Sequence, residues 1–136
     1  MHDHTLKEEI IMIKTLIIIG SGGFLGSIGR FLLSRFVQIN WPYYFPWGTL
    51  MVNVSGCLLI GILFGLSERS VAISGDWKAF LAIGFCGGFT TFSTFSQESL
   101  TLFRDSAYLL FFSYIGLSVV LCLSATLLGM LLIKII

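Results

Sequence analysis

Residues 84–95 read GFCGGFTTFSTF, and their types pose a chemical problem before any fold is drawn. Thr90, Thr91, Ser93 and Thr94 place hydroxyls in an otherwise apolar stretch, where lipid cannot satisfy them. Gly87 and Gly88 each weaken a helix by about 1 kcal/mol relative to Ala. Phe92 and Phe95, at i and i+3, share a helical face. A phenyl ring is positive at its edge and negative on its face, so rings presented edge-on attract an anion without trapping it. Asn53, in GTLMVNVSG, adds an amide with two donors and an acceptor. A break at Gly87–Gly88 would free main-chain carbonyls, which can hold a cation where it is buried in protein. Partial positive charge in many places and full charge in few is what a pore for a small anion needs.

These residues need elements to carry them. Of 136 residues, 56% are hydrophobic and 11% are charged, against roughly 25% charged in a soluble domain. Mean hydropathy is +0.95. The composition predicts a single all-α integral membrane domain over residues 1–136, with a polar extension over 1–9. Four apolar stretches, at about 10–37, 47–67, 77–103 and 107–133, each exceed the roughly 20 residues needed to cross the hydrocarbon core. Both prolines fall between the first two, and Arg104-Asp105-Ser106 makes a tight corner between the last two. Trp41, Tyr43, Tyr44, Trp47 and Trp77 stand at span ends, as an aromatic belt does. The first span is too long, and its GSGGFLGSIGR too broken in apolar character, for a cleaved signal peptide.

Several function classes drop out. A net charge of +1 without a basic cluster offers nothing to nucleic acid. No nucleophile–base pair or metal-binding motif speaks for an enzyme. His2, Asp3 and His4 could ligate a metal, but a tail this short is ordinarily disordered. Met12 offers an alternative start. Cys57, Cys86 and Cys122 lie inside apolar stretches and read as small core residues. Tyr114 and Ser118, at i and i+4, share one face of the fourth span. Taken singly, these and Asn53 read equally well as helix-to-helix hydrogen bonds.

Gly22-xxx-Gly26, Gly61-xxx-Gly65 and Gly84-xxx-Gly88 are small-residue patterns that bring helices close, within one bundle or against a second copy. With four spans, Lys7, Lys14, Arg69, Lys78 and Lys134 share one membrane side, and Arg30, Arg35 and Arg104 the other. This near balance predicts a chain able to insert both ways, and hence an antiparallel pair, ahead of the plainer reading in which a positively charged head always stays cytosolic. Only Glu98 among the acids could lie within the bilayer. A proton-coupled exporter of the small multidrug type has four spans too, but its design carries an acid in the first helix, and this first span has none. An assembly subunit, with GGFTTFSTF as mere packing, is the third reading.

GGFLGSIGR in the first span, GTLMVNVSG in the second and GFCGGFTTFSTFSQE in the third resemble the Fluc (CrcB) fluoride channel family. The resemblance runs through all four spans from about Met12, and the third motif is long and specific. It implies an antiparallel, dual-topology homodimer in the inner (plasma) membrane, with the third helix broken near the bilayer midplane. Two pores and one central structural sodium ion belong to that picture. So does passive fluoride export that protects cytoplasmic enzymes. By motif position, Phe92 and Phe95 would be the pore phenylalanines, Asn53 the pore amide and Thr94 a pore hydroxyl. Tyr114 and Ser118 would form a polar track, Arg30 would stand near the entrance, and Gly87 and Thr90 would give main-chain oxygens to sodium. The family pattern does not account for the N-terminal extension.

Overall fold

The computed structural model describes residues 2–41, 44–68 and 75–135, with side chains from Leu6 onward. In chain order the elements are α1 (His2–Asn40), α2 (Trp47–Glu68), α3 (Gly75–Lys78), a π-helix (Ala79–Cys86), α4 (Gly87–Phe89), α5 (Phe92–Arg104) and α6 (Tyr108–Ile135). Four stretches are long and apolar enough to cross a membrane: Leu6–Asn40, Trp47–Glu68, Gly75–Arg104 and Tyr108–Ile135. Among the described residues no strand occurs.

Helix α1 takes in the polar head, where a short tail or lead-in is expected from sequence. Leu6, Lys7, Glu8 and Glu9 are good helix formers without a Gly or Pro among them, so the helix propagates back through them. Its last bond runs from the Trp41 N–H to the Val37 carbonyl at 2.8 Å. The residue before a proline avoids helical geometry, and Trp41 precedes Pro42. Tyr43 and Arg69, named above for the aromatic belt and the charge balance, lie outside the described residues.

Packing follows the glycines. Helix α1 lies along the π-helix and α4, and α2 lies along α6. A methyl added at Gly26 would stand 2.2 Å from the Phe85 carbonyl oxygen, and one at Gly88 would stand 2.5 Å from that of Gly23. On the other pair, a methyl at Gly61 would meet the Thr126 carbonyl oxygen at 2.2 Å. The glycine patterns therefore serve contacts inside this chain, where backbones touch. The apolar core gathers Phe45, Leu50, Leu102 and Tyr114, with Phe95, Leu110 and Phe111 packed against it.

The two ends are finished differently. At one, exposed ion pairs link Lys14 to Asp76 (2.5 Å) and Lys134 to Glu68 (3.8 Å), joining α1 to α3 and α6 to α2. Such exposed pairs add little stability. At the other, the Tyr44 hydroxyl donates to the Asp105 carboxylate, which holds that phenol above its usual pKa range. The corner closes with Ser106 in left-handed geometry (φ 58°) and the Ala107 N–H bonded to the Leu102 carbonyl at 2.9 Å. This is the 6→1 closure that ends many helices.

Candidate functional site

Thr90 (φ −78°, ψ 158°) and Thr91 (φ −149°, ψ 117°) have extended backbone between α4 and α5. Gly87 and Gly88 are themselves helical, so the non-helical residues lie just past the glycine pair. Thr91 makes a better N-cap than an interior helical residue. Its hydroxyl oxygen accepts the Thr94 N–H at 3.2 Å and its hydroxyl proton goes to Thr94 Oγ1 at 3.0 Å. Gly56 leaves room for the interruption, since a methyl there would stand 2.3 Å from Thr90 Cγ2.

Asn53 holds the extended residues from α2. Its Nδ2 donates to the Thr91 carbonyl at 3.1 Å, and its Oδ1 accepts the Thr91 N–H at 2.8 Å. One amide thus satisfies a main-chain donor and acceptor that the helix has released. The hydroxyls of α5 care for themselves: Ser96, Ser99 and Thr101 donate to the carbonyls of Phe92, Phe95 and Gln97. This is how so polar a sequence sits in an apolar span.

The two phenylalanines differ. Phe92 is 78% exposed on the chain surface. Phe95 is half-buried, its ring centroid 5.6 Å from that of Phe92 and 5.2 Å from that of Tyr114. Tyr114 is fully buried and donates to Glu98 Oε2 at 2.8 Å, while Thr49 Oγ1 donates to Glu98 Oε1 at 2.8 Å. One turn along α6, Ser118 is buried with its hydroxyl unpartnered.

Arg30 and Thr94 share a cleft of about 590 Å³ with Ser27, Ser34, Arg35, Gln38, Thr49 and Thr91. Among the described residues, neither arginine of this cleft is in an ion pair with a carboxylate. A second cleft of about 460 Å³ shares Gln38 and Thr94 with the first and reaches Gln97, Glu98 and Tyr44. The cleft combines fixed positive charge with hydroxyl and amide donors, a chemistry suited to an anion. Gly87 is exposed with open space around it, and Thr90 is half-buried.

Asn53, Phe92, Phe95, Thr94 and Arg30 are thus gathered around the start of α5, with Tyr114 behind Phe95 and Ser118 a turn deeper. Thr49, Thr91, Arg35 and Glu98 join them without having been singled out as site residues from sequence. Two of them carry a readable signal. Thr49 stands four residues before Asn53, and Glu98 four after Thr94, so each shares a helical face with a residue that was singled out.

The family described as "CrcB-like protein, Camphor Resistance (CrcB)" matches residues 17–130. A protein of Leptospira interrogans named "Fluoride-specific ion channel FluC" is 48% identical over 107 residues, which cover 79% of this chain and 84% of the relative. Proteins of the same name from Phocaeicola vulgatus and Campylobacter jejuni are 47% and 45% identical, covering 85% and 90% of this chain and 95% and 100% of theirs. On the extent of these matches, the chain belongs to the CrcB-like family.

Proposed function

We propose that this chain is a fluoride-specific ion channel, a multi-pass protein of the inner membrane that lets fluoride leave the cytoplasm down its gradient. The observation that carries the reading is the start of α5. There, an extended pair of residues held by Asn53 leads into Phe92 and Phe95 beside a cleft with two arginines that no carboxylate pairs among the described residues. Fluoride holds its water tightly, so its path has to replace hydration by weak, rigid donors; a full charge at close range would trap it. The arginines act at the cleft, where they raise local anion concentration. Ring edges and hydroxyls act further in.

A homodimer completes this reading. Phe92 faces outward, so a single chain gives it no opposite wall. An antiparallel second copy supplies one, and the near-balanced charge permits such a pair. The interruption at Thr90–Thr91 falls halfway along the Gly75–Arg104 span, near the bilayer midplane on this reading. Residues there also fit a sodium ion. With ψ at 158°, the Thr90 carbonyl leaves the helical ladder, and Gly87 is open to a partner. Their main-chain oxygens suit a hard monovalent cation. Sodium so held would supply a fixed positive charge between the copies.

Glu98 is the one observation that favours proton-coupled transport instead. Fluoride efflux from liposomes containing only the purified chain decides between them. A passive channel empties the liposomes when a potassium ionophore clamps the voltage, with no imposed proton gradient. Flux that needs such a gradient defeats the channel reading, and absence of flux defeats both. Tag accessibility from both faces of a vesicle tests the antiparallel pair; one uniform orientation removes it.

A further inference from the structure

Helices α2 and α6 run side by side in constant register, four residues per step on each. Thr49 and Tyr114 meet at the Glu98 carboxylate, and Gly61 faces Thr126. Between those levels stand Cys57 and Cys122. The Thr126 hydroxyl is within hydrogen-bond distance of the Cys57 carbonyl (3.2 Å) and the Cys122 carbonyl (3.1 Å), which fixes the two backbones at one level. Neither helix can shift toward the other, because Gly61 and Gly129 already press on the carbonyls of Thr126 and Leu58. One helical turn back from the Gly61–Thr126 contact on each helix, the same register sets Cys57 opposite Cys122. Both are half-buried and free, whereas Cys86 is buried.

We propose that Cys57 and Cys122 form a two-thiol site for a soft, two-coordinate dication, for which mercuric ion is the probe. Binding forms two metal–sulfur bonds and sends both thiol protons to solvent, with no change of oxidation state. Two thiolates cancel the charge of the dication, so the filled site is neutral. A soft monovalent ion on the same pair would leave one net negative charge in an apolar span, which is costly. Hard dications prefer oxygen ligands. Tetrahedral zinc needs more ligands, and no group of three His, Cys, Asp or Glu that could hold a metal occurs among the described residues. A filled site ties α2 to α6 one turn past Ser118 and stops anion flux. That last effect rests on the channel reading; the binding does not.

The test titrates the purified full-length chain with mercuric chloride while following mercury–thiolate absorbance. Free thiols are then labelled with maleimide after unfolding and located by mass spectrometry. One mercuric ion per chain is expected, with Cys57 and Cys122 protected together and Cys86 still labelled. Protection of Cys86, or labelling of Cys57 and Cys122 as in mercury-free protein, overturns the site, and this arm needs no variant to fold. Cys57→Ser and Cys122→Ser should each weaken binding by at least about 100-fold, while Cys86→Ser leaves it tight. Equal affinity in all three variants also overturns it. In liposomes, mercuric ion should stop the parent's fluoride flux and excess dithiol restore it. If the pair binds mercury but the parent carries no fluoride, the channel reading fails and the site stands. If the parent carries fluoride and the pair stays empty, the reverse holds.

Discussion

The third and fourth spans are of similar length, 30 and 28 residues, yet they meet the demands of an apolar surrounding in opposite ways. Helix α6 is unbroken from Tyr108 to Ile135, and every main-chain bond in its interior stays within the helix. Four of its polar side chains are spaced four apart on one face: Tyr114, Ser118, Cys122 and Thr126. The third span passes through α3, a π-helix, α4, two extended residues and α5. Its polar groups include released main chain, and another helix has to satisfy them. The difference shows two ways to carry polarity across a membrane. A continuous helix lends hydroxyls at fixed intervals and remains self-sufficient. An interrupted one offers stronger backbone dipoles but depends on a neighbour.

That dependence is where the comparison breaks most easily. Asn53→Ala leaves the Thr91 N–H and carbonyl without their partner, at about 1–3 kcal/mol for each buried group. A loss on the order of 3 kcal/mol should appear as a lower unfolding temperature of the detergent-purified chain, together with lost fluoride efflux. Asn53→Asp keeps the acceptor for the Thr91 N–H and should fall between. Ser118→Ala, on the self-sufficient span, should leave the unfolding temperature unchanged, because its hydroxyl bonds nothing. If Asn53→Ala is as stable as the parent, the interruption is held by something other than this amide.

Glycine substitutions sharpen the contrast with opposite signs. A methyl at Gly88 would stand 2.5 Å from the Gly23 carbonyl oxygen and 2.9 Å from its Cα. Overpacking of two backbones should cost about 2 kcal/mol. A methyl at Gly116 on α6 meets nothing within 4 Å, so Gly116→Ala should gain up to about 1 kcal/mol of helix propensity. Unfolding temperatures of the two variants check this. A Gly88→Ala chain as stable as the parent would mean that the α1–α4 contact yields.

The smallest expected change in fold still carries a consequence for flux. Phe92 is 78% exposed, so Phe92→Ile should leave the stability of the isolated chain unaltered. Loss of the ring edge, worth about 1 kcal/mol, should slow fluoride efflux about fivefold. Phe95→Ile should slow efflux similarly and also cost about 1 kcal/mol of stability, because its ring packs on Tyr114. Phe24→Ile, on an exposed face of α1, should change neither. If both Phe92→Ile and Phe95→Ile conduct like the parent, the rings are packing only.

Much of this molecule is legible in its residues alone. Hydropathy over whole spans depends on composition and length, so four membrane-spanning helices follow from it. The polar head is an exception: helical propagation from the first span carries α1 back through it. The motif around Gly87–Phe95 identifies the region that matters, because glycines, hydroxyls and rings so close together are poor membrane anchors. What composition and spacing cannot supply is partnership. Gly87–Gly88 looks like the weak point, yet the helix gives way at Thr90–Thr91, because Thr91 caps α5, Asn53 takes its main-chain groups, and Gly56 admits Thr90. Each of those contacts joins residues 34 or more apart or depends on a local hydroxyl geometry. Likewise, Glu98 reads in sequence as the one acid that could lie within the bilayer. Only the approach of α2 and α6 gives it Thr49 and Tyr114, and brings Cys57 to the level of Cys122. Periodicity tells which face of a helix a residue occupies; the register between helices, set by where glycines let backbones touch, decides what it meets.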